Sequence, residues 1–151
     1  RLFSTLDPVT RRVRLPSGRD LLVTDTVGFI HKQPPAVVAA FRATLEEAEE
    51  SAVILHLVDI THANAADQTV VVDAILHDLG LSDKPRILVL NKIDRLEPIE
   101  GLESDSVVGE IVGERSRVVP ASALRGTGLD RLLEELDAVL SETAAVPMPV
   151  A

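Results

Sequence analysis

Two hydrophobic patterns alternate along the chain. The runs "AVILHLVDI" (Ala52–Ile60) and Ile87–Leu90 within "PRILVLNKID" are apolar without alternation, as expected of strands covered on both faces. Elsewhere the spacing changes to three and four. In "AVVAAFRATLEEAEE" the positions Val37, Val38, Phe41, Thr44, Leu45 and Ala48 predict an amphipathic helix over residues 36–50, with Pro35 in its first turn and an acidic outer face. A second helix is predicted from Ala63 to Leu79, closed by Gly80. A third spans "TGLDRLLEELDAVLSE", with the stripe Leu129, Leu132, Leu133, Leu136, Val139 and Leu140. Near the start, Arg12–Leu15 and Leu21–Thr24 are β-prone runs around "PSGR" and predict a hairpin. "SRVVPAS" predicts a short strand, and residues 99–114, rich in Glu and Gly, give only the signal of one irregular helix.

Strands alternating with helices, two of them uniformly apolar, predict an α/β fold: a mostly parallel sheet with helices on both faces. The expected division is one domain over 1–143 and a flexible tail or linker over 144–151. At 151 residues, 46% of them apolar, the chain can build one sizeable core, and three Phe with neither Trp nor Tyr make that core aliphatic. The absence of cysteine excludes disulfides and thiolate metal sites. No apolar run reaches 18 residues, so no membrane span is expected. A formal net charge of -9 repels nucleic-acid phosphates overall. The basic run "RRVR", Arg11–Arg14, reads as a solvated strand face.

In sheets of this kind ligands sit beyond the carboxyl ends of the strands. Three apolar runs end in polar segments: "DTVG" (Asp25–Gly28), "NKID" (Asn91–Asp94) and "SAL" (Ser122–Leu124). Asp, Asn, Ser and Gly are ordinary turn residues, so each segment alone is also consistent with a bare turn. A carboxylate beside a glycine after a strand suits a hard cation and a closely approached phosphate.

The order and placement of these segments resemble the guanine-nucleotide domain of P-loop GTPases. Taken with "FSTLDPVTRR", "LPSGRDLLVTDTVGFI" and "AFRATLEEAEESAVILHLVDIT", the chain resembles the HflX family of ribosome-associated GTPases over nearly its whole length. The resemblance implies a magnesium ion approached by Asp25 through water and by the hydroxyl of Thr5. Thr5 lies in a first switch of Phe3, Ser4, Thr5, Leu6 and Asp7. The second switch is Asp25, Thr26, Val27 and Gly28, in which Gly28 offers its N–H to the γ-phosphate; Thr5 and Gly28 are the implied catalytic positions. Asp94 would accept hydrogen bonds from the guanine N1–H and exocyclic amine, groups adenine lacks. Asn91 would tie loops together, the stem of Lys92 would cover the base, and Ile93 would complete the loop. In the last loop the Ala123 N–H would meet the guanine oxygen, with Ser122 as brace and Leu124 beside it. The resemblance further implies GTP as substrate, GDP as product, Mg2+ as cofactor, and a ribosomal partner, the large subunit, reached mainly through parts outside this chain. It implies a cytoplasmic protein with a partly membrane-associated population.

Two departures qualify that expectation. No G-x-x-x-x-G-K-[ST] phosphate loop occurs; the nearest glycine pair, Gly109 and Gly113, is followed by Glu114 and Arg115. The expectation is therefore a GTPase domain missing its first strand and phosphate loop, inactive alone, within a full-length Mg-dependent GTP hydrolase. Phe29 stands where many GTPases carry a water-orienting glutamine, and a phenyl ring can neither donate nor accept the hydrogen bonds required. That leaves open a non-catalytic, nucleotide-sensing switch, and also a core role for Phe29. An ATP-using protein and a purely structural domain are the remaining alternatives. His31 reads as a solvent-facing loop residue, with a role in nucleotide-dependent movement as the alternative, and His56 as a packed strand histidine, while His62 and His77 carry no metal-site spacing.

Overall fold

The computed structural model describes residues 9–25, 48–95, 111 and 117–145. Strands β1 (Thr10–Arg14) and β2 (Asp20–Thr24) form the expected antiparallel hairpin, in register from Thr10 opposite Thr24 to Arg14 opposite Asp20. Its turn is closed by hydrogen bonds from Leu15 N to Arg19 O (2.8 Å) and from Gly18 N to Leu15 O (2.9 Å). Arg11, Arg12 and Arg14 are exposed, in keeping with a solvated strand face.

Strands β3 (Ile54–Asp59), β4 (Arg86–Asn91) and β5 (Val118–Pro120) form a parallel sheet in that order. Helix α1 (Ala65–Asp78) joins β3 to β4, and α2 (Leu129–Ala145) follows β5. The side-chain period of two divides the apolar run of β4 between two cores. Ile87 and Val89 face one side, packed with Val119, Ala121, Leu15 of the hairpin and Leu136, Val139 and Leu140 of α2. Leu88 and Leu90 face the other, packed with Val58, Ile60, Ala65 and Ile111. The expected helices on both faces are present.

Helix α1 ends as its sequence predicts. Gly80 takes a left-handed φ of 73°, and the N–H groups of Gly80 and Leu81 return to His77 O (3.0 Å) and Leu76 O (2.8 Å). This is a Schellman closure, and Leu81 packs on Leu76 as such closures favour. Helix α2 runs to Ala145, three residues beyond the predicted stripe-bearing segment. It also holds the hairpin: Asp137 accepts from Ser17 N (2.8 Å, Oδ2) and from Ser17 Oγ (2.7 Å, Oδ1).

Two expectations need correction. Strand β3 is not covered on both faces: Leu57 is 59% exposed. Among the described residues β3 pairs only with β4, and β2 only with β1, so a gap separates β2 from β3 and Leu57 borders it. The expectation of a partly membrane-associated population is likewise overturned, since among the described residues no helix is long and apolar enough to cross a membrane. The helix predicted over 36–50 lies outside the described residues except for a 3-10 turn at Ala48–Glu50. The irregular helix predicted over 99–114 lies outside them except for the buried Ile111.

Candidate functional site

The carboxyl ends of β4 and β5 are bound to each other through their loops. After β4 the chain makes a 3-10 turn, Ile93–Arg95. Ile93 N donates to Ala121 O (3.2 Å), and Ala121 N donates to Leu90 O (2.8 Å). Side chains complete the join. Asn91 Oδ1 accepts from Ala123 N (3.0 Å), and Ser122 Oγ donates to Asp94 Oδ1 (2.7 Å) while accepting from Arg125 N (3.1 Å). Ser122 is fully buried, whereas the Asp94 carboxylate it steadies is exposed. Ser122 is itself fixed by a bridge to Thr127, its N–H donating to Thr127 O at 2.9 Å. Gly128 lets α2 begin directly against the end of β5: its φ is 78°, and a Cβ there would lie 2.2 Å from Pro120 O. Leu124, at the tip of this loop, is 82% exposed.

Lys92 alone among the described non-glycine residues has a positive φ, 71°. Its Nζ donates to Asp59 Oδ2 at the end of β3 (2.8 Å). Thr61 holds the other carboxylate oxygen, donating to Oδ1 from its N–H (3.0 Å) and its hydroxyl (2.6 Å). Burial alone would raise the pKa of Asp59. The hydrogen bonds from Lys92 and Thr61, with the lysine charge, outweigh it and lower the carboxyl from 3.8 to about 2.

Asp25 follows β2 and is fastened to the hairpin base. Its N–H donates to Val9 O (3.1 Å), and its Oδ1 accepts from Val9 N (3.2 Å). A cleft of about 470 Å³ opens between β2 and β3; Asp25, Asp59, Asn91 and Ala123 lie along it, with Thr24 and Leu57. The segments after β2, β3, β4 and β5 therefore border one space. Among the described residues no group of three or more His, Asp or Glu side chains could hold a metal unaided. Asp25 is nonetheless a suitable single ligand: an exposed carboxylate with only one oxygen engaged by the backbone fits a magnesium ion that keeps most of its waters.

Of the residues singled out from sequence, Asn91, Lys92, Ile93, Asp94, Ser122, Ala123 and Leu124 come together in the joined β4 and β5 loops, and Asp25 faces the same cleft. Phe3, Ser4, Thr5, Leu6, Asp7, Thr26, Val27 and Gly28 lie outside the described residues, as does Phe29. Asp59 and Thr61 escaped sequence reasoning. The available signal was "DIT": an aspartate closing an apolar run, two residues before a threonine able to cap it.

Comparison with known proteins agrees with this arrangement. The 50S ribosome-binding GTPase family matches residues 1–92. The protein named GTPase HflX from Caldanaerobacter subterraneus is 41% identical over 146 residues, covering 97% of this chain and 31% of that protein. GTPase HflX from Escherichia coli is 34% identical over 145 residues, covering 95% and 33%. A GTP-binding protein from Sulfolobus solfataricus, solved in complex with GDP, superimposes with a TM-score of 0.72 at 30% identity, covering 94% of this chain and 48% of that one. The chain thus spans about a third of the length of the curated relatives it matches.

Proposed function

Because the chain belongs to the HflX family of the 50S ribosome-binding GTPases, we propose that it is the guanine-binding part of a GTPase that attacks the γ-phosphorus of GTP with water. In that reaction the new bond joins the water oxygen to phosphorus, the β–γ bridging bond breaks, and GDP leaves with its electron pair. The water protons pass to phosphate and solvent. The observation that carries the reading is the hydrogen bond from buried Ser122 to Asp94, made across two loops that Asn91 and Ala123 also join. A carboxylate so fixed can accept from both the N1–H and the amine of guanine, and adenine would leave it unpaired.

Asp25, with Thr5, would hold magnesium, which when bound neutralises charge on the β- and γ-phosphates. Gly28 would give its N–H to the γ-phosphate. A further parallel strand would lie in the gap between β2 and β3, and a phosphate loop after such a strand would open beside Asp25, Asp59 and Asn91. The partner is the ribosome, through its large subunit; the acidic chain favours contacts made mainly by other parts of the protein. Phe29 favours one second reading, a switch that binds nucleotide and does not turn it over.

The test uses the full-length protein and labelled GTP. Binding is expected, and Asp94→Ala should abolish it. Preference for ATP, or equal GTP binding by Asp94→Ala, would refute the guanine assignment. Turnover that stays at background with ribosomes present, despite tight GTP binding, would favour the switch.

A further inference from the structure

A lysine side chain with four rotatable bonds is a poor platform for a base unless something orders it, because freezing it on binding subtracts from affinity. Lys92 is ordered at both ends. At its backbone end the left-handed conformation is strained for a non-glycine residue, and Lys92 O accepts from Arg95 N (3.0 Å) within the 3-10 turn. At its tip Nζ lies 2.8 Å from Asp59 Oδ2. The Asp59 carboxylate is oriented in turn, because Thr61 directs two donors at Oδ1 and leaves Oδ2 for the lysine.

This ion pair is poorly placed to stabilise the fold. Its side chains are 43% and 33% exposed, and pairs open to water contribute little net stability. It is well placed for the site, since Asp59 stands opposite Asn91 in the sheet register, one residue before Lys92 and three before Asp94.

We propose that Asp59 is a positioning residue of the guanine site: by tethering Lys92 Nζ, with Thr61 as its brace, it presets the lysine stem across the face of the base. The inference rests on the guanine-binding reading above. Its carboxyl, held at about 2, stays ionised at any working pH, so the tether is constant and not pH-gated.

The full-length protein supplies the test, with displacement of a fluorescent GDP analogue by unlabelled GDP and by IDP, which lacks the exocyclic amine. In Asp59→Asn the Kd for GDP should rise about three- to tenfold, the scale of one long side chain left to be ordered on binding. IDP should weaken by the same factor, because contact with the ring face is blind to the amine that Asp94 reads. In a Lys92→Met background, Asp59→Asn should add nothing. A residue that only supports the fold would lower thermal stability and leave this coupling absent. The proposal is overturned if the GDP Kd in Asp59→Asn stays within about twofold of wild type, if the GDP-to-IDP ratio changes, or if the two substitutions act additively. Should Asp59→Asn not fold, Thr61→Val keeps the carboxylate and removes the hydroxyl brace; it should shift GDP and IDP together by a smaller factor, and no shift refutes the tether. Wild-type protein that binds neither nucleotide would sink the guanine reading and this inference with it. Intact wild-type binding with an unaffected Asp59→Asn variant sinks the inference alone.

Discussion

Two glycines in the last loop allow a backbone effect to be separated from a steric one. Gly126 and Gly128 have nearly the same left-handed φ, 77° and 78°. A Cβ at Gly126 would meet nothing within 4 Å, whereas one at Gly128 would lie 2.2 Å from Pro120 O and 3.2 Å from Ala121 Cα. Gly126→Ala should therefore cost only the left-handed conformation, about 1–2 kcal/mol. Gly128→Ala has that cost plus an overlap of about 1 Å with a backbone oxygen, and forcing atoms into a filled space adds about 1–3 kcal/mol. The oxygen cannot yield cheaply. Pro120 ends β5, and the next residue, Ala121, is hydrogen-bonded to Leu90. The expected destabilisation is about 1–2 kcal/mol for Gly126→Ala and about 2–5 kcal/mol for Gly128→Ala, measured by urea unfolding of the full-length protein. Ser122 and Ala123 lie between Pro120 and Gly128, so GDP affinity should fall more in Gly128→Ala than in Gly126→Ala. Equal stability of the two variants, within about 0.5 kcal/mol, would refute the close contact and the loop geometry built on it.

Ser122→Ala removes the donor to Asp94 and the acceptor for Arg125 N, and should weaken GDP binding about tenfold at the scale of one charge-assisted hydrogen bond, about 1.4 kcal/mol. Isothermal titration checks it, and an unchanged Kd would show that Asp94 needs no brace. Asp59 also makes a pH prediction. Its carboxyl is depressed on folding, so the unfolded chain takes up the proton first as pH falls; the stability it confers is complete above its ordinary 3.8 and lost as pH drops through about 2. Because the pair is open to water the margin is small: the urea midpoint of wild type should exceed that of Asp59→Asn slightly and by a constant amount from about pH 7 to about pH 5, and the difference should vanish toward about pH 2. A margin that persisted there would contradict the tether.

Much of this was legible because strand ends in a parallel sheet carry their chemistry in short contiguous segments. "NKID" and "SAL" each follow an apolar run, and the sheet joins what 28 residues separate at Asp94 and Ser122. Gly80 was legible as a helix stop because its local hydrogen bonds involve only residues 76–81. Asp59 was not, because its task depends on Lys92, 33 residues away, and an aspartate after a strand fits many turns equally well. The exposure of Leu57 was legible only through the expected absence of a first strand between β2 and β3: apolar periodicity reports the cover a strand expects, and says nothing about which neighbour supplies it. The end of α2 slipped for a simpler reason. Thr143, Ala144 and Ala145 carry no stripe, yet alanine continues a helix without one.

The fastening of Ser17 to Asp137 dictates how the hairpin could travel. Sliding along its own axis would sever both hydrogen bonds and pull Leu15, 2% exposed, out from among Val119, Leu136 and Val139, a loss of about 1.5–3 kcal/mol for the leucine alone. Swinging about that anchored tip breaks neither. Any turn about that tip would be largest at Val9 and Asp25, the far ends of the hairpin, where Asp25 lines the cleft.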